Sequence, residues 1–257
     1  MQNELPKGVD RMKILVLQHV DVEHPGIFRD FFKADGLGWD TVELDAGDPL
    51  PDVSAYDLMV VMGGPQDVWQ EDRYPWLVAE KAAIRKFVVD LGRPYLGICL
   101  GHQLLAAAVG GEVAPGKTPE VGISTVKQTQ AGHDDPIFRG IADPVDVLQW
   151  HGAEVVRLPD DVHVLASSDA CAVQAFRYRD SAYGFQFHVE ITEQTVSDWA
   201  AIPVYAQALD AALGQGAAGR LKSEVAAKLP AFNRTAKTIY DNFKGVLRQA
   251  GLVHAQK

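Results

Sequence analysis

Cysteine is nearly missing. Two thiols, Cys99 and Cys171, in 257 residues are too few for a disulfide framework or a cysteine zinc site, so each stands to be judged as a free thiol. Long apolar runs are missing as well. No stretch approaches the roughly 18 residues that a membrane span needs, and the first twelve residues, MQNELPKGVDRM, lack the apolar segment of a secretory signal. A soluble, cytoplasmic protein is expected. Positive charge is scarce, with 24 Lys and Arg against 34 Asp and Glu and a formal net charge of −10. That balance argues against nucleic-acid binding, because phosphate neutralisation needs clustered cations. The scarcity does not extend to the tail: from Ala201 onward eight Lys and Arg face three Asp and Glu. A basic tail on an acidic body points to docking of one on the other.

What is present is an ordinary globular composition, 47% apolar and 23% charged, in a chain long enough to bury a large core. From Met12 the text MKILVLQH is an apolar run of strand length, followed by Pro25-Gly26 and an amphipathic helix over Ile27 to Ala34. Strands are predicted at Trp39 to Leu44 and at Leu58 to Met62, the latter apolar at every position as a parallel strand buried on both faces should be. Trp76 to Leu91 has helical spacing, and Tyr95 to Ile98 gives a buried strand running into a helix over Leu100 to Val109. This alternation predicts an α/β fold, a doubly wound and mostly parallel sheet flanked by helices. Beyond Gly110 the chain is β-rich, with short strands at Val121 to Thr129, Val145 to Trp150, Val162 to Ala166, Ala172 to Tyr178 and Tyr183 to Phe187. Arg179 to Ala182 reads as a hairpin connection. The last 57 residues are alanine-rich and read as two or three helices broken at Pro203, at Gly214 to Gly219 and at Pro230. The expected partition is one domain over residues 12–200 and a helical C-terminal extension over 201–257. The basic helices of that extension would pack on the acidic body, as a soluble cap or a lid beside the active site, or mediate contact between copies.

The densest chemical signal is Gly97-Ile98-Cys99-Leu100-Gly101, a G-x-C-x-G turn between a buried strand and a helix. It has the form of a nucleophile elbow, in which side chains two positions either side of the nucleophile would collide. The thiol would stand at a helix N-terminus, where the local field favours thiolate, with the Leu100 N–H aimed at an oxyanion. A base and its orienter are offered by Gln186-Phe187-His188-Val189-Glu190 at the end of a predicted strand. Positions two apart project on one face, so Glu190 can accept one ring N–H of His188 and leave the other nitrogen facing sulfur. After the third strand, Met62-Gly63-Gly64-Pro65 lets the backbone approach a ligand, and the Gly64 N–H suits a second oxyanion donor.

Taken together, GGP at Gly63 to Pro65, GICLGHQLLA at Gly97 to Ala106, QWHG at Gln149 to Gly152 and YGFQFHVE at Tyr183 to Glu190 resemble the motifs of the class I, triad-type glutamine amidotransferases. The similarity is closest to the amidotransferase half of the GMP synthase branch, including DDPIFRGI at Asp134 to Ile141, and covers roughly Lys13 to Ala200. The resemblance implies a flavodoxin-like sheet and hydrolysis of the glutamine side-chain amide through a γ-glutamyl thioester, releasing ammonia, with no cofactor and no metal. It implies Cys99 as nucleophile, His188 as base and acid, and Glu190 as orienter. Gly64 and Leu100 would supply the oxyanion N–H groups. Gly63 and Gln103 would contact substrate, and the backbone of Trp150, His151 and Gly152 would close the pocket.

The sequence departs from the family pattern in three places. Val189 replaces the proline usual between the catalytic His and Glu, which predicts slight loosening of the triad. Ala153 stands where the GMP synthase branch has an acidic residue. The 57 residues after Ala200 are too few for an ATP-pyrophosphatase segment, so ammonia would pass to a separate synthetase partner or be lost to water. Two other readings stay open: a stand-alone γ-glutamyl hydrolase or peptidase, and a non-catalytic binding protein on the same fold.

Several further signals carry less. Gly111 to Thr118 matches G-x-x-x-x-G-K-T, but a helix leads in and a strand leads out, so no helix N-terminus is offered to phosphates. The acidic segments Asp45 to Asp52 and Gln66 to Asp72 match no metal loop and read as solvated acidic turns, and His133-Asp134-Asp135 reads as a helix start preceding Pro136. Trp69, Tyr74 and Trp76 read as packing residues that could also line a pocket mouth, and Cys171 as a buried, inert thiol.

Overall fold

A computed structural model describes residues 12–252. In chain order the elements are β1 (Ile14–Gln18), α1 (Phe28–Ala34), β2 (Trp39–Glu43), β3 (Leu58–Val61), α2 (Trp76–Arg85), β4 (Tyr95–Ile98), α3 (Leu100–Ala108), β5 (Glu112–Gln128) and α4 (Gln130–Asp134). They continue with β6 (Val145–Arg157), β7 (Val162–Ser167), β8 (Ala175–Tyr178), β9 (Ala182–Phe185), α5 (Thr195–Ala200), α6 (Pro203–Leu213) and α7 (Ala217–Gln249). The nine strands form a mixed sheet in the order β2-β1-β3-β4-β9-β8-β7-β5-β6. From β2 to β9 the pairing is parallel, and from β9 to β6 it is antiparallel. The α/β class and the β-rich second half are therefore as the sequence predicts, with Arg179 at φ +50° turning the β8–β9 hairpin.

Period-two alternation explains why the central strands are apolar throughout. Ile14, Val16, Leu58, Val60, Leu96 and Ile98 point to one face and meet Phe28 and Phe32 of α1 and Ile239, Phe243 and Leu247 of α7. Leu15, Leu17, Met59, Val61 and Tyr95 point to the other and meet Leu77 and Ile84 of α2 and Leu100, Leu104 and Leu105 of α3. A third cluster joins β6 to the C-terminal helices: Leu148 and Trp150 of β6 pack with Val196 and Trp199 of α5, Tyr205 and Leu209 of α6, and Leu221, Val225 and Phe232 of α7. The literal phosphate-loop match over Gly111 to Thr118 runs into β5 straight after α3, which is the order the sequence context indicates. None of the helices among the described residues is long and apolar enough to cross a membrane.

The tail differs from expectation at one point. Pro203 begins α6 and Gly214 ends it, but Pro230 breaks nothing: α7 runs unbroken for 33 residues, about 50 Å at 1.5 Å per residue. Proline removes one intrahelical hydrogen bond and crowds the preceding turn. Here Pro230 and Ala226 are both exposed, so water can reach the carbonyl left without a partner. On the opposite face Leu221, Val225, Leu229, Phe232, Ala236 and Ile239 are buried, and this packing outweighs the local penalty. The basic tail meets acidic partners on the body, Lys244 with Asp35 at 2.8 Å and Lys228 with Asp146.

Pro230→Ala restores a backbone donor on a solvated helix face and is expected to raise stability by up to about 3 kcal/mol, whereas Phe232→Ala empties a fully buried site and is expected to cost about 3–5 kcal/mol. Urea unfolding of the two variants beside the parent measures both. A stabilising effect absent from Pro230→Ala would show that the proline does not weaken the helix.

Candidate active site

The turn at Cys99 is as tight as the glycine pattern requires. A methyl group on Gly97 would lie 2.5 Å from the Gly101 carbonyl oxygen, and one on Gly101 would lie 2.1 Å from the Val61 carbonyl oxygen. Cys99 itself is held at φ +51°, ψ −103°, a strained conformation of the kind kept at functional positions and costing on the order of 1–3 kcal/mol. Its N–H donates to the Phe185 carbonyl at 2.8 Å, and its carbonyl accepts the first bond of α3 from the Gln103 N–H at 3.1 Å. The thiol thus sits where α3 begins, between the ends of β3, β4 and β9. This is the carboxyl edge of a parallel sheet, where ligands of such folds bind.

His188 and Glu190 reach the thiol by a route other than the predicted one. β9 ends at Phe185, so the pair is not carried on a regular strand. Beyond that end the chain crosses to β6, where His188 exchanges two backbone hydrogen bonds with Leu148, of 2.8 and 3.1 Å. Glu190 then turns back, and its Oε1 lies 2.6 Å from His188 Nδ1. Both side chains are buried. His188 Nε2 is buried with no hydrogen-bond partner and stands beside the Cys99 thiol, close enough for each to shift the other's proton affinity. The edge of Trp199 packs on the imidazole with ring centroids 4.6 Å apart. Val189 adds a tie of its own, because its N–H donates to Glu190 Oε2 at 3.0 Å, a bond proline could not make.

A cavity of about 350 Å³ opens over Cys99, and Gly64, Leu100, Gln103, Trp150, His151 and Gly152 all contribute to its wall. Tyr74 lines it too, while Trp76 stacks on His19 and Trp69 is exposed. Gly63 lies just behind, beside the carboxylate of Glu23. Gln103 already commits its amide hydrogens to the Ala153 carbonyl at 3.1 Å and to Gln186 Oε1 at 3.0 Å, which leaves its own oxygen for a ligand. Gln186 in turn directs its Nε2 at Cys99 Sγ, 3.7 Å away. The His151 ring is pinned between the Ala153 carbonyl, 2.9 Å from Nδ1, and Glu120, 3.2 Å from Nε2.

Two contributors carry no motif in the sequence. Glu23, just beyond β1, is buried, and Tyr205 of α6 donates its hydroxyl to Glu23 Oε1 at 2.7 Å. Tyr205 also packs on Trp150 and Trp199 and, with Val204 and Ala208, walls the cavity. The tail therefore stands beside the site. The position of Glu23 after a parallel strand is the one signal that could have found it, since strand ends of this kind collect functional side chains.

The electrostatics corrects one expectation. Burial pushes the Cys99 thiol up, against the pull of neighbouring His188 and in the same direction as Glu23 and Glu190. The helix N-terminus therefore does not by itself make a standing thiolate. Burial also opposes charge on His188, yet the carboxylate of Glu190, its hydrogen bond to the ring and the neighbouring Cys99 hold that imidazole well above its ordinary value. The pair is arranged for sulfur to give its proton to a ring already braced to carry it. Glu23 is pushed up by burial, with Tyr205 and His188 opposing. Cys171 is a buried thiol pushed up to about 12 by burial. Among the described residues no group of three or more His, Cys, Asp or Glu side chains is placed to hold a metal ion.

Comparison with known proteins identifies the family to which this fold belongs. The sequence profile of the class I glutamine amidotransferases matches residues 36–198. The A subunit of the glutamine-hydrolysing GMP synthase of Sulfolobus acidocaldarius is 36% identical over 156 residues, covering 60% of this chain and 78% of that one. The glutamine amidotransferase-like protein YfeJ of Salmonella typhimurium is 32% identical over 191 residues, 72% of this chain and 78% of that one. Among solved structures, a glutamine amidotransferase of Thermotoga maritima superposes with a TM-score of 0.81 at 27% identity, over 91% of this chain and 99% of that one. On the profile match, the relatives and the shared fold, the chain belongs to the class I glutamine amidotransferase family.

Proposed function

We propose that the chain hydrolyses the side-chain amide of glutamine, or of a close γ-glutamyl analogue, through a thioester on Cys99. The observation that carries this reading is the buried line from Glu190 through His188 to the Cys99 thiol at the floor of a cavity. Cys99 Sγ attacks the amide carbon as its proton passes to His188 Nε2, and the carbonyl oxygen takes up negative charge facing the N–H groups of Gly64 and Leu100. Collapse of this adduct breaks the C–N bond, and His188 returns the proton to the leaving nitrogen so that ammonia departs. Water, deprotonated by the same ring, then attacks the thioester, freeing glutamate and the thiol. Glu190 holds the ring in the tautomer with hydrogen on Nδ1 and balances the charge it gains.

The Sulfolobus relative bears the name of one component of a synthetase. By analogy, ammonia made here passes to a separate synthetase partner that holds the acceptor. A second reading, release of an amine larger than ammonia, draws support from an adjoining cavity of about 440 Å³ along α6, which shares Pro119, Val121 and Ala208 with the wall over Cys99.

Ammonia release from glutamine, and amine release from a panel of γ-glutamyl amides and peptides, separate these readings. Cys99→Ala is expected to abolish every hydrolytic activity of the parent. Parent protein that releases neither ammonia nor amine, whether alone or mixed with a synthetase partner, would end the enzymatic reading. His188→Asn is expected to slow acylation about 10²–10⁴-fold, with Glu190→Gln less severe. A loss under about tenfold in His188→Asn would refute the base assignment.

A further inference from the structure

Behind the Gly63-Gly64 turn lies a second histidine–glutamate pair that the chemistry above does not use. His19 follows β1 directly and is completely buried. Its Nδ1 lies 2.8 Å from the Gly63 carbonyl oxygen, and its Nε2 lies 2.9 Å from Oε1 of Glu80 on α2. Glu80 is also completely buried, and its other oxygen has no partner. The His19 ring stacks on Trp76 with centroids 5.5 Å apart and an angle of 18° between planes. Its backbone is tied to the same turn, because Gln66 Nε2 donates to the His19 carbonyl at 3.1 Å.

This geometry fixes the direction of a peptide. A carbonyl oxygen only accepts, so Nδ1 carries the hydrogen and donates it to Gly63. The Gly63 carbonyl and the Gly64 N–H belong to one planar trans unit and point in opposite directions. Holding the oxygen against His19 therefore turns the Gly64 N–H the other way, and Gly64 lines the cavity that contains Cys99. Two glycines in sequence would otherwise leave that peptide free to rotate. We propose that Glu80 and His19 form a buried brace that sets the Gly63–Gly64 peptide with its N–H toward the oxyanion, which makes His19 a positioning residue for thioester formation. The proposal rests on Gly64 as oxyanion donor in the function proposed above.

The cost of the arrangement points the same way. A fully buried carboxylate facing a histidine is costly to desolvate, and an apolar pair of similar volume would pack at least as well. Burial opposes charge on His19, but Glu80 and the Gly63 carbonyl together hold it above its ordinary value, as expected of a ring donating from both nitrogens.

Three substitutions at His19 test the brace. Phenylalanine keeps a ring against Trp76 and loses both donors. Asparagine presents an amide near the place of Nδ1, whereas glutamine presents it near the place of Nε2. His19→Phe is expected to lower kcat for glutamine about 10²–10³-fold, the range for a lost oxyanion donor, with KM changed by less than about threefold. His19→Asn is expected to recover at least about tenfold of that loss, and His19→Gln is not. Crystal structures should show the Gly63–Gly64 peptide rotated or displaced in His19→Phe and kept in His19→Asn. A peptide unmoved in His19→Phe overturns the proposal whatever the activity, as do Asn and Gln variants that are equally slow. Should His19→Phe fail to fold, the Asn and Gln comparison decides alone. A parent inactive on glutamine and on every γ-glutamyl amide and peptide, alone or with a synthetase partner, would sink the functional reading, while the crystal structures still decide whether His19 holds the peptide.

Discussion

Val61 and Gly101 touch through bare backbone, and that contact sets the rest of the site. With room for no side chain between them, the first turn of α3 is pressed onto the end of β3, and the Gly101 N–H bonds to the Met62 carbonyl at 3.1 Å. The chain leaving β3 is then bound to pass beside the strained Cys99 turn, which brings Gly64 and Leu100 to the wall of one cavity. Strain at a single residue, φ +51° at Cys99, is tolerable because strands buried on both faces over-determine the backbone around it. His188 arrives from the other direction, fastened to β6 rather than carried by its own strand. The two halves of the molecule, parallel and antiparallel, thus each hold one end of the proposed proton path.

Much of this is legible in the residues wherever geometry restricts which residue types can serve. A tight turn demands glycine, so Gly97 and Gly101 mark Cys99 as the nucleophile candidate. Strands covered on both sides demand unbroken apolar runs, so β1, β3 and β4 announce a parallel sheet. Other contributors cannot be found this way. Glu23 and His19 follow β1, Glu80 lies on α2 and Tyr205 on α6, and the meeting of these three segments depends on topology instead of spacing. Tyr205 and Glu23 are 182 positions apart. Pro230 misleads for the opposite reason. The rule that proline ends a helix is local and has force where the helix stands alone, whereas burial along the whole of α7 settles the matter here. Phe187 and Val189 alternate with polar residues as in a strand, yet the chain leaves the sheet after Phe185 and pairs with β6 at one residue only.

The polar interior is built from pairs in which a carboxylate braces an imidazole. Glu190 holds His188 and Glu80 holds His19 through hydrogen bonds, while Glu120 stands 3.2 Å from His151, all within the region that surrounds the cavity over Cys99. Isolated buried charges are costly, whereas a donor and an acceptor facing each other at hydrogen-bond distance recover part of that cost. Val189 extends the same logic to the backbone, since its N–H fastens the second oxygen of Glu190. Where proline would restrict the turn through its ring, valine restricts it through a hydrogen bond, so the turn's rigidity is electrostatic in origin.

The position of α7 has a consequence for how the protein is made. The sheet face formed by Ile14, Val16, Leu58, Val60, Leu96 and Ile98 is complete once β4 has been synthesised, but Ile239, Phe243 and Leu247, which cover it, emerge from the ribosome more than 130 residues later. Until then a greasy surface is presented to the cell, in a chain whose earlier segments would otherwise fold from the N-terminus as they emerge. Nascent chains therefore carry an open core for most of their synthesis, and its closure waits on the last long helix.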